Sequence, residues 1–312
     1  MKTLVLISLI SALGFLCVAL TSSPAPEDAE FEDFIAKYGV NYATDTELDF
    51  RRAIFKQNMV RAKQLDELNP YAKFGITIFS DRTREEMKQR MGAIDFRTDE
   101  THAKVFELTA KPTSSIDWKK YMKPIQDQGT SCGSCWAFSA IASLEGRYQK
   151  KYGKIEKLSE QQALDCTSKS YGCNGGWYDD FWKYAEKNPI CDASDYKYVH
   201  RKGACKTCYG SITTEGSTLI RNNEEAMYAA LKDGPISIAV DGEDWPYYQS
   251  GVITNCGTHM DHSAVIVGYQ KKEDAWVVRN SWGKAFGEDG HIRLKYGQNT
   301  CLVTYKPAFP DV

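Results

Sequence analysis

The chain has 312 residues, ten cysteines, and 39 basic against 41 acidic side chains, for a net charge of -2 at pH 7. That length supports a large buried core, and 42% hydrophobic with 26% charged residues excludes a disordered chain. The near-neutral balance offers no surface for nucleic acid or an anionic membrane, and ten cysteines are many for a cytosolic enzyme.

Lys2 precedes an uncharged run over residues 4–20, with small residues near Ala19. The run is nearly long enough to span a bilayer, but residues 21–26 add no polybasic or aromatic flank. A secretory signal over residues 1–19 is expected, which places the rest in an oxidising compartment with no membrane segment after its removal. Phe31, Phe34, Ile35 and Tyr38 then fall on one face of a helix. A longer helix is predicted over 45–68, where Glu47, Arg51, Phe55, Asn58, Ala62 and Asp66 form one stripe. A strand is read over 74–79. Thr83 and Glu86 make a capping box for a helix ending near Met91, and residues 92–115 read as an extended connector.

From Trp118 onward the character changes: all seven tryptophans and nine of the ten cysteines lie there. A helix is expected over 135–152, with Trp136, Ala140, Ile141 and Leu144 on its apolar side. Strands follow over 236–240, 264–269, 276–279 and 291–294. A helix-rich half before a strand-rich half indicates an α+β body with two lobes. Residues 20–111 hold 17 acidic and 14 basic side chains and residues 112–312 hold 24 of each, which marks the amino-terminal part as a separate, slightly acidic module.

The sharpest local signal is Gln128-Gly129-Thr130-Ser131-Cys132-Gly133-Ser134-Cys135-Trp136. Cys135 stands where a loop enters a helix. Unpaired backbone N–H groups and the helix dipole there favour an anion, so the thiol is expected to ionise readily and act as a nucleophile. His262 lies 127 residues on, ahead of a strand, and Asn280 lies 145 residues on, in Arg279-Asn280-Ser281-Trp282-Gly283. The competing reading takes Cys132/Cys135 and Cys205/Cys208 as two CxxC pairs for zinc or redox chemistry. The wide gap between the pairs and the secretory signal argue against it. His102, His200 and His291 are read as surface or packing residues, and His259, near His262, has no matching context.

The C-G-S-C-W string with His and Asn at this spacing resembles the papain-like cysteine proteases of the cathepsin L type. The helical stripe is similar to the family's ERFNIN signature at Glu47, Arg51, Phe55 and Asn58, with Ala62 and Asp66 in place of the usual Ile and Asn. Gly75-x-Thr77-x-Phe79-x-Asp81 resembles its GNFD signature. The resemblance implies a papain-like two-lobed fold, with a helical left lobe and a β-barrel-like right lobe behind a helical inhibitory propeptide. The propeptide would cover 20–111 and the peptidase domain 112–312, with the mature enzyme beginning near 111–113.

The implied activity is a cysteine endopeptidase made as an inactive zymogen. No cofactor or metal is implied, and a non-catalytic peptide-binding relative is the alternative. Cys135 thiolate attacks the scissile carbonyl, His262 protonates the leaving amine, and Asn280 orients the imidazole beneath Trp282. Gln128 and the backbone N–H of Cys135 form the oxyanion hole, although Gln128 stands seven residues before Cys135 where the family has six. It reaches only if residues 129–131 bulge; Gln126 is the other candidate.

The pocket for the substrate residue two places before the cut is walled by Trp177, Tyr178, Ala239 and Ser263 and floored by Lys306. Two readings of Lys306 stay open: a charged floor that admits Glu or Asp, or a side chain that swings out to solvent. Setting aside Cys17 and Cys135 leaves eight cysteines, which permit 105 pairings. The resemblance selects Cys132–Cys173, Cys166–Cys205 and Cys256–Cys301, leaving Cys191 with Cys208, or Cys205 and Cys208 exchanged.

Expected partners are peptide and protein substrates, the chain's own propeptide as inhibitor, and cystatin-like inhibitors, with the enzyme a monomer. The absence of an N-x-S/T sequon leaves lysosome, digestive vacuole and extracellular space open as destinations. The family's propeptide lies through the cleft backwards. Protonating carboxylates such as Asp81 would loosen it, which predicts processing near pH 4–5.

Overall fold

A computed structural model describes residues 26–95 and 104–312; the expected signal segment and His102 lie outside these. By packing the chain divides after Asn41. In the first unit, helix α1 (Pro26–Tyr38) buries Phe31 and Phe34, whose rings stack 6.1 Å apart, and Tyr38 lies one turn on, 5.3 Å from Phe34.

The second unit begins with helix α2 (Asp45–Leu68), at the bounds the sequence predicts. Thr44 caps its start by accepting the Glu47 N–H, and Phe55, Asn58, Ala62 and Leu65 form its buried stripe. Asn69 closes it: its amide donates to Leu65 O at 3.1 Å, while its Oδ1 accepts the N–H groups of Thr254 and Asn255. Strand β1 (Ala72–Phe74) is shorter than the expected 74–79 and ends where that segment began. Beyond Phe74 the chain turns, because Thr77 and Ser80 bond to each other; Ile76 and Ile78 imitate strand alternation without a partner strand. Helix α3 (Arg84–Lys88) has the predicted capping box of Thr83 and Glu86 but stops three residues before Met91. Its last bonds, Arg90 N–H to Met87 and Met91 N–H to Lys88, are the tighter i to i−3 kind that ends a helix.

Strand β2 (Lys104–Phe106) lies in the expected connector. Strand β3 (Ile116–Asp117) precedes helices α4 (Cys135–Tyr152), α5 (Glu160–Cys166) and α6 (Tyr178–Ala185). Then come β4 (Ser217–Ile220), α7 (Glu224–Leu231), β5 (Ile236–Val240), β6 (Tyr248–Ile253), β7 (His262–Gln270), β8 (Ala275–Arg279), β9 (His291–Lys295) and β10 (Tyr305–Pro310). The strands run β1-β6-β9-β8-β7-β5-β10-β4-β2 across the sheet, with β3 beside β7. All contacts are antiparallel except β6 with β9 and β2 with β4.

Two cores result. Trp136, Ile141 and Leu144 of α4 pack with Leu164, Phe181 and Trp182 in the helical one. Ile236, Ile238, Ile266, Val278 and Leu294 build the other, and Ala62, Leu65, Phe74, Phe79 and Met87 belong to it as well. The acidic amino-terminal part, distinct by charge, therefore shares a core with the strands from Tyr42 onward. Disulfides join Cys132–Cys173, Cys166–Cys205, Cys191–Cys208 and Cys256–Cys301, and Cys135 stays free. Each closes a loop whose constraint is worth about 2–4 kcal/mol. In one CxxC pair Cys132 is bridged to Cys173 while Cys135 is free, and in the other Cys205 and Cys208 belong to different bridges. Among the described residues no His, Cys, Asp and Glu cluster fit to hold a metal is present. No helix among them is long and apolar enough to cross a membrane.

Candidate active site

Cys135 opens α4, and its neighbour Trp136 anchors that end by donating to Gly172 O at 3.1 Å. His262 opens β7, and Asn280 directly follows β8, its antiparallel neighbour, so adjacent strand ends bring the two together. His262 Nε2 lies 2.8 Å from Asn280 Oδ1, which also accepts the Ser281 N–H at 2.8 Å. His262 Nδ1 is buried without a hydrogen-bond partner. The backbone N–H groups of Ser263, the residue after His262, and of Gly92 and Trp136 act on the Cys135 thiol so as to favour its anion. Trp282 lies 4.9 Å from the imidazole ring and is fully buried.

The sequence places Cys135 at an anion-stabilising helix start, yet burial pushes its thiol up to about 12. The three N–H groups pull the other way, but loss of water outweighs them. Burial likewise pushes His262 down to about 4, against the Asn280 hydrogen bond that raises it. The pair is therefore held neutral.

The cover is the chain's own residues 90–95. Gly176 N–H donates to Gly92 O at 3.0 Å, Ile94 N–H donates to Gly176 O at 3.2 Å, and Ala93 pairs with Gly176 as a parallel bridge. Ala93 N–H also donates to Asp261 O at 2.9 Å. Only glycine fits at position 92, since a Cβ there would collide with the Gly133 carbonyl.

Gln128 is fully buried, and its amide spans the cleft: Nε2 donates to Arg90 O at 2.8 Å and Cys132 O at 2.9 Å, and Oε1 accepts from Ser281 Oγ at 2.7 Å. The extra residue before Cys135 is absorbed by a turn in which Gly129 takes φ +80°, a left-handed conformation that suits glycine. Arg90 grips that turn, donating to Gly129 O and Asp127, each at 2.7 Å. Gln126 bonds its own neighbour, Pro124 O, and points elsewhere. Two residues that sequence reasoning missed hold the Gln128 carbonyl from the other side: Tyr198 Oη at 2.9 Å and His200 Nδ1 at 3.2 Å. His200, read as a surface or packing residue, is exposed as well. No local motif marks either one.

Trp177, Tyr178, Ala239 and Ser263 are all buried. Ala239 pairs with Ser263 on one side and Tyr305 on the other, so the three form a row across β7, β5 and β10. Strand β10 bulges next to Tyr305, and Lys306 takes φ +44° there. A bulge re-aims a side chain. Lys306 Nζ sits 2.6 Å from Asp95 Oδ2, with side-chain exposures of 17% and 4%. Nothing in the sequence pairs these two positions; Asp95 lies on the covering segment.

Residues 112–310 match the family described as papain family cysteine protease, and residues 31–87 match the cathepsin propeptide inhibitor domain. The chain is 36% identical over 307 residues to a cysteine proteinase of Trypanosoma brucei brucei, covering 92% of this chain and 68% of that protein. Its fold is similar to that of digestive procathepsin L2 proteinase from the Tenebrio molitor larval midgut, with TM-score 0.83 and 27% identity over 92% of this chain and all of that one. The recombinant stem bromelain precursor gives TM-score 0.81 and 33% identity, covering 92% and 99% of the two chains.

Proposed function

Because the chain belongs to the papain family of cysteine proteases, we propose that Cys135, His262 and Asn280 are the residues through which it hydrolyses peptide bonds. It is a cysteine endopeptidase carrying a propeptide inhibitor domain. The observation that carries the assignment is the 2.8 Å contact of His262 Nε2 with Asn280 while Nδ1 lacks a partner beside the Cys135 end of α4. An imidazole held by one nitrogen with the other free is arranged to exchange a proton with a nucleophile.

The mechanism follows from what the cover does. With residues 90–95 in place, thiol and imidazole are neutral and the cleft is filled. Once they leave, water returns, both shifts relax, and the proton passes from Cys135 to His262. The thiolate adds to the scissile carbonyl carbon. The oxygen that becomes negative takes the hydrogen bond Gln128 now gives to Arg90 O, together with the Cys135 backbone N–H at the start of α4. His262 then protonates the departing amine, leaving an acyl-enzyme, and accepts a proton from the water that hydrolyses it.

Entry into the secretory pathway, with a signal over 1–19, is part of this reading and is supported by the four disulfides. So are the propeptide over 20–111, the peptidase domain over 112–312, action as a monomer and inhibition by cystatin-like proteins that enter the same cleft. The test is a full-length chain processed by acid and treated with an epoxide-type thiol reagent. One equivalent is expected on Cys135 with loss of peptide cleavage, and neither label nor cleavage in Cys135→Ser. Cleavage that survives in Cys135→Ser would refute the assignment.

A further inference from the structure

We propose that the pocket floored by Lys306 selects an acidic side chain two residues before the cut, and that Asp95 is its built-in occupant before activation. The inference rests on the catalytic reading above and adds the substrate class.

A lysine is rarely buried without a partner, and an apolar pocket around an ammonium group would leave it poorly solvated. Here the ammonium does not turn out to solvent. It lies 2.6 Å from the Asp95 carboxylate, both side chains are largely buried, and the Tyr305 hydroxyl stands 3.5 Å from the same Asp95 oxygen. The ion pair belongs to the cleft, since Asp95 directly follows Ile94, whose N–H is bonded to Gly176. The floor is also fixed in place. Tyr178 Oη donates to the Lys306 carbonyl, and the Tyr305 ring meets Trp177 edge-on at 6.3 Å. The left-handed backbone at Lys306 sets the direction of its stem.

When the covering segment leaves, the ammonium loses the Asp95 carboxylate. A Glu or Asp side chain of a substrate restores a charge-assisted contact, an aliphatic one does not, and an arginine meets a like charge.

The test uses the acid-processed full-length chain and four fluorogenic peptides that differ only at that position: Glu, Asp, Leu and Arg. The quantity read is the ratio of kcat/KM for Glu over Leu. Losing a charge-assisted contact should lower that ratio by about tenfold to a hundredfold in Lys306→Met. Lys306→Arg should retain most of it, and Lys306→Glu should turn the preference toward Arg. Equal Glu-to-Leu ratios in wild type and Lys306→Met overturn the proposal.

Epoxide labelling of Cys135 and cleavage of the Leu peptide report separately on the catalytic reading. Protection of Cys135 from iodoacetamide by the Glu or Leu peptide reads the pocket without turnover, and equal protection by the two in wild type also counts against it. Asp95→Asn probes the occupant outside the mature enzyme. Alkylation of Cys135 in the uncleaved chain should speed up severalfold, and an unchanged rate overturns that half of the inference.

Discussion

Asn280 acts through one oxygen that serves two donors. The Ser281 N–H fixes which end of the amide is Oδ1, so the imidazole must donate from Nε2, and its Nδ1 lone pair is left for the nucleophile. Asn280→Ala removes that constraint. It is expected to lower kcat by about tenfold to a hundredfold with little change in KM, as measured by steady-state kinetics on the processed enzyme. Gln128→Ala removes an oxyanion donor and should cost about a hundredfold to a thousandfold in kcat. A change confined to KM would mean Gln128 only binds substrate. The string around Cys135 and the spacing to His262 and Asn280 were legible because both depend on local sequence. The charge state of the thiol was not, because Gly92 and the rest of the cover arrive from a distant part of the chain. Asp95 escaped notice for the same reason: an ion pair between sequence-distant residues leaves no pattern in either neighbourhood.

Helices α2 and α3 are joined by Arg51, whose guanidinium meets both Glu86 oxygens at 2.7 and 2.8 Å and also donates to Asp81 O at 3.1 Å. The same Glu86 completes the Thr83 capping box, so one carboxylate holds two elements. Arg51 keeps Glu86 below the usual carboxylate range, and Lys73 does the same for Asp66. A depressed carboxylate stabilises the folded state above its ordinary pKa, about 4.3 for Glu, and that contribution is lost as pH falls through the folded value. Nearer the cleft, the proton His262 gains on opening comes from Cys135, so that pair exchanges none with solvent. Asp261, pushed up to about 7 by burial, gives one up on opening between pH 7 and its ordinary value, which favours closure as pH falls. Processing should therefore not speed up from pH 6.5 to 5, and should accelerate below about 4.5, where the depressed carboxylates are protonated. Glu86→Gln should raise the rate at pH 6 and flatten the acid response, read from the appearance of the shortened chain on gels. An unchanged profile would remove Glu86 from the lock. Elements with clear periodicity and caps, α2 and α4, were legible to the residue. Helices α5, α6 and α7 were not, because each has only seven or eight residues, most of them buried, which leaves little amphipathic stripe to read.

At the scale of the molecule, the α+β class and the order of helical and strand-rich halves were legible in the sequence. The sheet order was not, since β1 and β2 reach its two ends from the amino-terminal part and no local pattern predicts such pairings. The parallel bridge at Gly176 has a further consequence. The family resemblance implies a segment that lies through the cleft in reverse, and the parallel bridge accords with it. Such a segment presents each peptide bond with its carbonyl and N–H exchanged relative to the nucleophile, so a molecule is not expected to cut itself where its own segment rests. The first cuts then fall on neighbours whose segments have come loose, and each enzyme released attacks more of them. A population should therefore convert as an autocatalytic chain reaction, with a lag that shortens as total concentration rises and vanishes when a trace of processed enzyme is added. Progress curves over a hundredfold range of concentration test this. Superimposable curves would mean that each segment swings out, turns round and is cut by its own molecule.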